Sequence, residues 1–307
     1  MSTGETPRFT VGLVQMACGD SAAANVETAV DLIRQAAAQG AQIVCLQELF
    51  SSRYFCQRED AANFELAEPV PGPTTARCAA LAADLDVVLL VPVFERRAAG
   101  VYHNAVAVID AGGALLGRYR KTHVPDDPLY HEKFYFTPGD LGYPVFETRF
   151  ARIGPLICWD QWFPEAARLS ALGGADLIVY PSAIGWHPAE RDTEGAAQHD
   201  AWRTVQRAHA IANGVFVAAV NRVGHEGAPG RGLQFWGGSF VCDPAGRILA
   251  EGSSDEDEVV LAECDSGAVE RQRQGWPFLR DRRVDSYAGL TARLLDESPG
   301  RGPAPDR

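Results

Sequence analysis

Three residues of the chain, Glu48, Lys121 and Cys158, carry the groups that an acyl-transfer reaction needs. A cysteine thiol can attack a carbonyl carbon, and a carboxylate can accept the thiol proton and later activate water. A lysine ammonium, together with a backbone N–H just after the cysteine, can stabilise the oxyanion that develops. This chemistry requires no metal ion and no organic cofactor. If folding brings the three side chains together, they predict a cysteine-dependent hydrolase.

Cys158 stands between two predicted elements. Residues 153–157 are apolar and predict a buried strand, and Pro164 is typical of the first turn of a helix. In open α/β sheets, ligands bind at the carboxyl ends of such strands. We expect the helix N-terminus and a nearby cation to lower the pKa of the thiol and to favour the thiolate. The alternative for a lone cysteine is a small, buried packing residue.

Glu48 follows residues 42–46, a nearly all-apolar segment that predicts a strand covered on both faces. Its neighbours Leu49 and Phe50 are large and apolar, so we expect a shielded carboxylate that is suited to proton transfer. The alternative for an isolated glutamate is a solvated loop charge.

Lys121 lies in residues 119–136, where charges, aromatic side chains and prolines are mixed. This composition predicts an irregular loop of the kind that carries function on a rigid scaffold. A solvated strand end is the alternative for Lys121. His123 and His131 lie in the same stretch, but no further His or Cys follows at ligand spacing, so we expect no metal site.

The rest of the chain predicts an α/β scaffold around these residues. Predicted strands cover residues 9–16, 42–46, 87–94, 102–109, 115–117, 153–157, 175–180, 215–221, 236–243, 247–250 and 259–263. Predicted helices cover residues 26–37, 74–85, 164–169 and 196–213. No fixed-period repeat or linker divides the chain, which predicts one domain over residues 1–290 and a disordered tail over residues 291–307, rich in Pro, Gly and charge.

Composition limits the classes of function. The chain has 307 residues, 46% of them hydrophobic, and its net charge of −12 argues against a nucleic-acid partner. The N-terminal residues 1–8 lack the apolar core of a signal peptide, and no apolar run is long enough to span a bilayer. Seven cysteines without a CxxC motif argue against a disulfide framework or a structural zinc site. We therefore expect a cytoplasmic protein that has no membrane partner.

Three motifs, in this order and spacing, resemble those of the nitrilase superfamily of carbon–nitrogen hydrolases. They are residues 46–50 (LQELF), 120–126 (RKTHVPD) and 157–165 (ICWDQWFPE). The resemblance covers residues 9–290. Within the superfamily, residues 54–56, 131–140 and 280–283 are most similar to the N-carbamoylputrescine amidase branch. The resemblance thus implies hydrolysis of a ureido group to an amine, carbon dioxide and ammonia through a thiol-bound intermediate.

The resemblance also implies a fold, site roles and an assembly. The fold is a four-layer α-β-β-α sandwich, and members of the family commonly form homodimers or larger homo-oligomers. Glu48, Lys121 and Cys158 would be the catalytic triad, and Glu132 would be a second active-site glutamate. The substrate, a small ureido or amide compound, would contact four further residues: Tyr54, Tyr130, Trp159 and His187. Residues 276–280 could contribute to a contact between subunits.

Two positions depart from the pattern of that branch. The branch typically has a glutamate where this chain has Trp186-His187-Pro188. A neutral or anionic tail is therefore an alternative to a cationic amine, as in a β-ureidopropionase, an N-carbamoyl-amino-acid hydrolase or an ω-amidase. Three nearby acids could still supply the charge that a cationic tail needs: Asp126, Asp127 and Glu190. A non-catalytic binding or assembly module is the alternative from another class. Pro155 lies inside the strand that precedes Cys158, where we expect a bulge or an unpaired N–H position.

Overall fold

The computed structural model describes residues 8–228 and 230–295. The strands are β1 (Arg8–Gln15), β2 (Ile43–Leu46), β3 (Val88–Ala98), β4 (Val101–Ile109), β5 (Leu115–Arg120), β6 (Phe146–Glu147), β7 (Arg152–Pro155), β8 (Leu177–Pro181), β9 (Gly185–Trp186), β10 (Phe216–Val220), β11 (His225–Glu226), β12 (Leu233–Phe235), β13 (Phe240–Cys242), β14 (Ile248–Glu251) and β15 (Glu258–Asp265). The α-helices are α1 (Ala22–Ala38), α2 (Pro73–Leu85), α3 (Glu132–Tyr135), α4 (Pro164–Leu172), α5 (Gly195–Asn213) and α6 (Ala268–Gly275).

Two six-stranded sheets form the centre of the structure. The first sheet has the strand order β15-β1-β2-β3-β4-β5, and the second has the order β14-β13-β10-β8-β7-β6. In the first sheet the pairs β1–β2 and β2–β3 are parallel. In the second sheet the pairs β7–β8 and β8–β10 are parallel. The parallel strands are the apolar ones because helices cover one face of each sheet and the other sheet covers the opposite face.

Each sheet has its own helical layer. Helices α1 and α2 pack on the first sheet, and α4 and α5 pack on the second. The inner faces of the sheets meet where β1 contacts β10 and β2 contacts β8. Side chains of both sheets share one core, in which Phe9 packs edge-on against Phe216 at 5.8 Å between ring centroids. The arrangement confirms the predicted four-layer α-β-β-α sandwich.

Pro155 occupies the unpaired position that the sequence predicts. The N–H of Leu156 donates to Val179 O in β8 at 2.9 Å. Successive backbone nitrogens of a strand point to opposite edges, so the nitrogen of Pro155 points to the edge on which β6 lies. Strand β6 pairs only with Arg152 and Ile153 of β7. The missing N–H therefore breaks no ladder bond. The pairing with β8 continues through Pro155 without a bulge.

The structure differs from the sequence predictions at several loops. The stretch 119–136 is not entirely irregular, since β5 extends to Arg120 and α3 begins at Glu132. The glycine-rich stretch 224–232 contains β11, which joins β12 and β9 in a small third sheet. Helix α6 has a weak apolar pattern and was missed. The boundary at residue 290 stays a prediction, and most of the predicted tail lies outside the described residues.

Candidate active site

The ammonium of Lys121 links two carboxylates. Its Nζ donates to Glu48 Oε1 at 2.7 Å and to Glu132 Oε2 at 2.6 Å. Glu48 follows β2, Lys121 follows β5, and Glu132 is the first residue of α3. All three side chains are at most 1% exposed. The structure thus assembles an ion-paired cluster from three of the residues that the sequence predicts.

Mutual interactions change the ionisation of this cluster. Burial alone would lower the pKa of Lys121, but the carboxylates of Glu132 and Glu48 raise it well above its ordinary value. Burial raises the pKa of Glu132 to about 7, although Lys121 acts to lower it. Lys121 is therefore a permanent cation, whereas Glu132 changes its charge near neutral pH.

Cys158 begins a turn of 3₁₀ helix, Cys158–Trp162, that lies between β7 and α4. Its φ of 41° lies in the left-handed region, which costs a non-glycine residue free energy. The first N–H groups of such a helix have no acceptor within it, so the N–H of Trp159, one residue after the cysteine, is available to a ligand. The structure therefore places a thiol beside a backbone donor, as oxyanion stabilisation requires.

The prediction that Cys158 is held as a thiolate is wrong for this structure. Burial raises the pKa of the thiol well above its ordinary value, the carboxylate of Glu48 raises it further, and Lys121 opposes both. The two glutamates and one lysine already carry a net charge of −1 when ionised, so a buried thiolate would add a second uncompensated charge. The resting cysteine is therefore a thiol and needs a base.

Asn104 is a member of the site that sequence reasoning missed. Its Nδ2 donates to Glu48 Oε1 at 2.7 Å from the middle of β4. With Lys121 also bound to Oε1, the carboxylate is held through one oxygen. The other, Oε2, is buried without a hydrogen-bond partner among the described residues. The signal in the sequence was the polar pair His103-Asn104 inside an otherwise apolar strand.

Asp160 joins the cysteine turn to the strand that leads to Lys121. It is fully buried, and its Oδ2 accepts from Ile157 N at 3.0 Å and from Tyr119 OH at 2.7 Å. Its Oδ1 accepts from His123 N at 3.0 Å and contacts His123 Nδ1 at 2.7 Å. One carboxylate thereby ties the residue before Cys158 to Tyr119 and His123, two residues to either side of Lys121.

A cavity of about 400 Å³ opens over Cys158 and Glu132. Three of the predicted substrate-binding residues, Tyr130, Trp159 and His187, line it. Tyr130 OH accepts from Gly185 N at 3.0 Å and donates to Gly185 O at 3.1 Å, which fixes the ring in the wall. Of the acids that the sequence suggests for an amine tail, Asp127 and Glu190 line the cavity and Asp126 does not. Sequence reasoning missed other lining residues: Trp162, Ile184, Gln198 and Trp236.

Tyr54, the fourth predicted substrate-binding residue, does not line this cavity. It is buried behind Glu132, and its hydroxyl donates to Glu132 Oε1 at 2.6 Å. It borders a second cavity, also of about 400 Å³, which shares no lining residue with the first. The structure thus places Tyr54 as a partner of Glu132 and not in the wall over Cys158.

No three His, Cys, Asp or Glu side chains within residues 8–228 and 230–295 are grouped so that they could hold a metal ion. In the same part of the chain, no helix combines the length and the apolar character needed to cross a bilayer.

The four-layer fold and the Glu-Lys-Cys cluster agree with a comparison to known proteins. The carbon–nitrogen hydrolase family model matches residues 10–274, and the chain belongs to this family. It is therefore a hydrolase that acts on carbon–nitrogen bonds other than peptide bonds.

Individual proteins of the family are similar to this chain over most of its length. The N-carbamoylputrescine amidase of Solanum lycopersicum is 46% identical over 286 residues, 92% of this chain and 94% of that protein. The citrullinase of Francisella tularensis is 39% identical over 278 residues, 90% of this chain and 96% of that protein. A solved carbon–nitrogen hydrolase of Helicobacter pylori is 44% identical, covers 94% of this chain and 100% of its own, and superposes with a TM-score of 0.90.

Proposed function

We propose that this enzyme hydrolyses N-carbamoyl amines with a cationic tail, N-carbamoylputrescine above all, to the amine, carbon dioxide and ammonia. The observation that carries the proposal is the charge of the cavity over Cys158. Asp127, Glu132 and Glu190 line it, and no lysine or arginine is among the described lining residues. An anionic cavity attracts an ammonium tail and disfavours a carboxylate.

Contacts at the rim of the cavity agree with its negative charge. Glu190 Oε2 accepts from Gln198 Nε2 at 2.7 Å, which holds the carboxylate at the rim. The neighbouring Arg191 stacks over the Trp186 ring, 5.1 Å from its centroid, and is not part of the lining. In the related branch the glutamate stands in the segment that is Trp186-His187-Pro188 here. This chain thus offers a carboxylate, that of Glu190, three residues after His187. The relative from Solanum lycopersicum, an N-carbamoylputrescine amidase, agrees with this assignment.

In the first half of the proposed reaction, Cys158 is acylated. Glu48 Oε2 takes the proton of the Cys158 thiol while Sγ bonds to the ureido carbon. Lys121 and the N–H of Trp159 stabilise the resulting oxyanion. Because two nitrogens donate electrons into a ureido carbon, this stabilisation is the main source of rate. The tetrahedral adduct then breaks its bond to the terminal nitrogen, which leaves as ammonia with the proton from Glu48.

The second half releases the cysteine. The remaining thiocarbamate keeps the amine tail in the cavity. Glu48 takes a proton from water, the hydroxide oxygen bonds to the carbonyl carbon, and the C–S bond breaks. Sγ recovers a proton from Glu48, and the carbamate that leaves decomposes to carbon dioxide and the amine. Glu132 contributes by holding Lys121 in place.

A panel of compounds tests the proposal through ammonia release. The panel contains N-carbamoylputrescine, β-ureidopropionate, citrulline, an N-carbamoyl α-amino acid, glutamine and a simple nitrile. We expect the highest kcat/KM for N-carbamoylputrescine, and we expect Glu190→Gln or Asp127→Asn to raise KM for it more than for β-ureidopropionate. Faster hydrolysis of a carboxylate-tailed compound would overturn the cationic-tail proposal. No hydrolysis of any compound, together with no selective alkylation of Cys158, would favour a non-catalytic module.

One observation favours a second candidate, a ureido compound whose tail carries a carboxylate. His187 is half-buried in the cavity wall, and its Nδ1 accepts from Ala189 N at 3.2 Å. With Nδ1 as an acceptor, the ring carries its hydrogen on Nε2, which would donate a hydrogen bond to a carboxylate tail. Citrulline carries both a charged amine and a carboxylate, and one relative is a citrullinase. It is therefore tested together with the carboxylate-tailed compounds of the panel. His187→Asn would then weaken binding of these substrates and spare N-carbamoylputrescine.

We further propose that the enzyme is a cytoplasmic homo-oligomer that contributes to polyamine synthesis. All seven cysteines are free thiols, the state that a reducing compartment maintains. Large apolar side chains are exposed near the end of the described chain and on α4: Leu169, Leu172, Trp276, Phe278, Val284 and Leu290. A second copy of the chain would cover them. Light scattering after size exclusion should give a dimer or larger species, and Trp276→Glu with Phe278→Glu should weaken it; a monomeric wild type would contradict the proposal.

A further inference from the structure

One buried ion pair holds the backbone between Glu48 and Tyr54. Arg222 and Glu226 are 0% and 3% exposed, and Arg222 Nη1 lies 2.6 Å from Glu226 Oε1. The same guanidinium donates to three backbone carbonyls of the segment, with Nη2 3.0 Å from Glu48 O, Nη2 2.9 Å from Leu49 O and Nη1 2.9 Å from Ser52 O. The pair is therefore directed at one short segment.

Glu226 completes this arrangement from the other side. Its Oε2 accepts from Tyr54 N at 2.6 Å, while Oε1 binds Arg222. The segment that the pair holds carries Glu48 at one end and Tyr54 at the other. Glu48 binds Lys121, and the hydroxyl of Tyr54 binds Glu132. Both carboxylate partners of Lys121 thus depend on a backbone that this ion pair fixes.

The backbone of the segment needs such support. Leu49 has a φ of 50°, in the left-handed region that costs a leucine free energy. Arg222 Nη2 binds the carbonyl oxygens of the two peptide groups that flank Leu49, which are Glu48 O and Leu49 O. A strained turn persists only where surrounding contacts hold it, and the orientation of Glu48 depends on that turn. Loss of the contacts would let the carboxylate move.

The pair also connects the two sheets. Arg222 follows β10 of the second sheet, which also carries Cys158 after β7, whereas Glu48 follows β2 of the first sheet. An arginine can reach several acceptors at once because its planar guanidinium has five donors in a fixed fork. Arg222 therefore links the position of Glu48 to the sheet that carries Cys158 by direct hydrogen bonds.

We propose that Arg222 and Glu226 are positioning residues that orient Glu48 and, through Tyr54, Glu132 for the reaction at Cys158. The inference rests on the proposed function, in which Glu48 is the general base. A small displacement of a reacting group costs on the order of 10²-fold in rate. A lysine keeps the positive charge beside Glu226 but cannot span the three carbonyl groups. Its effect on the reaction therefore separates positioning from charge pairing.

The test compares Arg222→Lys with Arg273→Lys, a matched control. Arg273 donates to the carbonyl oxygens of Asn213 at 3.2 Å and Ala175 at 3.5 Å, and none of these three residues lines the cavity. For each variant we would measure kcat and KM per folded molecule, and the rate at which iodoacetamide alkylates Cys158. We expect Arg222→Lys to lower kcat and the alkylation rate by about 10- to 100-fold with little change in KM, and Arg273→Lys to change neither by more than about twofold.

Two results would overturn the inference. One is a folded Arg222→Lys enzyme whose kcat and alkylation rate match the wild type. The other is a loss that only follows the fraction of folded protein measured by circular dichroism. If Arg222→Lys does not fold, Glu226→Gln replaces it, since the amide keeps the size and an acceptor for Tyr54 N, and an unchanged kcat there would also overturn the inference. A wild type that hydrolyses no compound would refute the proposed function instead, while the alkylation rates still test Arg222.

Discussion

Lys121 Nζ and Glu48 Oε1 lie 2.7 Å apart, although 73 residues separate them in the chain. Asn104 donates to the same oxygen, so both donors bind one side of the carboxylate. Within the described residues, Oε2 of Glu48 keeps no hydrogen-bond partner. A glutamate next to a permanent cation can therefore still accept a proton through this second oxygen. The orientation of the Glu48 carboxylate therefore depends on both Lys121 and Asn104.

Replacement of Cys158 by alanine should abolish ammonia release and leave the fold intact. The variant removes only one sulfur from a buried position, whereas without the sulfur no covalent intermediate can form. Ammonia release and circular dichroism measure the two effects. Cys78→Ala, a buried cysteine in α2, is the control and should keep full turnover. Retained activity in the Cys158 variant would refute the proposed mechanism.

Replacement of Lys121 by methionine should lower kcat by on the order of 10²-fold or more, because the oxyanion loses its cation. Two buried carboxylates would then face each other without compensation, which also destabilises the fold. The double variant Lys121→Met with Glu132→Gln relieves that repulsion and should fold better than the single variant while staying slow. A folded Lys121→Met enzyme with unchanged kcat would remove Lys121 from the oxyanion role.

The rate should fall as the pH falls through about 7. Burial raises the pKa of Glu132 to about 7, so below that pH the residue is neutral and holds Lys121 less firmly. We expect kcat/KM to rise with pH across this range with the slope of one proton. In Glu132→Gln the slope should be absent and the rate uniformly low. A wild-type profile that is flat from about pH 6 to about pH 8 would contradict this assignment.

Tyr54→Phe should move that acidic limb to higher pH. The hydroxyl of Tyr54 donates to Glu132 Oε1 and stabilises the ionised carboxylate, so its removal raises the pKa of Glu132 further. The pH dependence of kcat/KM measures the shift. Tyr180→Phe is the matched control, since the buried hydroxyl of Tyr180 has no hydrogen-bond partner among the described residues. An unmoved limb in Tyr54→Phe would show that another group controls the rate.

The sequence alone determined the scaffold and the reactive groups. Apolar strands such as residues 42–46 and 153–157 were recognised because a strand covered on both faces must be apolar along its length. Cys158 and Glu48 follow such strands, so their positions at strand ends could be inferred locally. The motifs around them, together with Lys121 and Glu132, also carried the resemblance to the family. These features depend on neighbours in the chain.

Only the tertiary structure decided how the groups act on one another. Asn104 binds the carboxylate of Glu48, and Arg222 binds its backbone carbonyl. Both contacts join segments that are far apart in sequence. The placement of Tyr54 behind Glu132, and not in the cavity wall, follows from the path of the loop after β2. The ionisation state of Cys158 was predicted wrongly because burial and the charge of Glu48 outweigh Lys121. Burial and charge at a buried site are sums over the whole fold, and a local pattern cannot supply them.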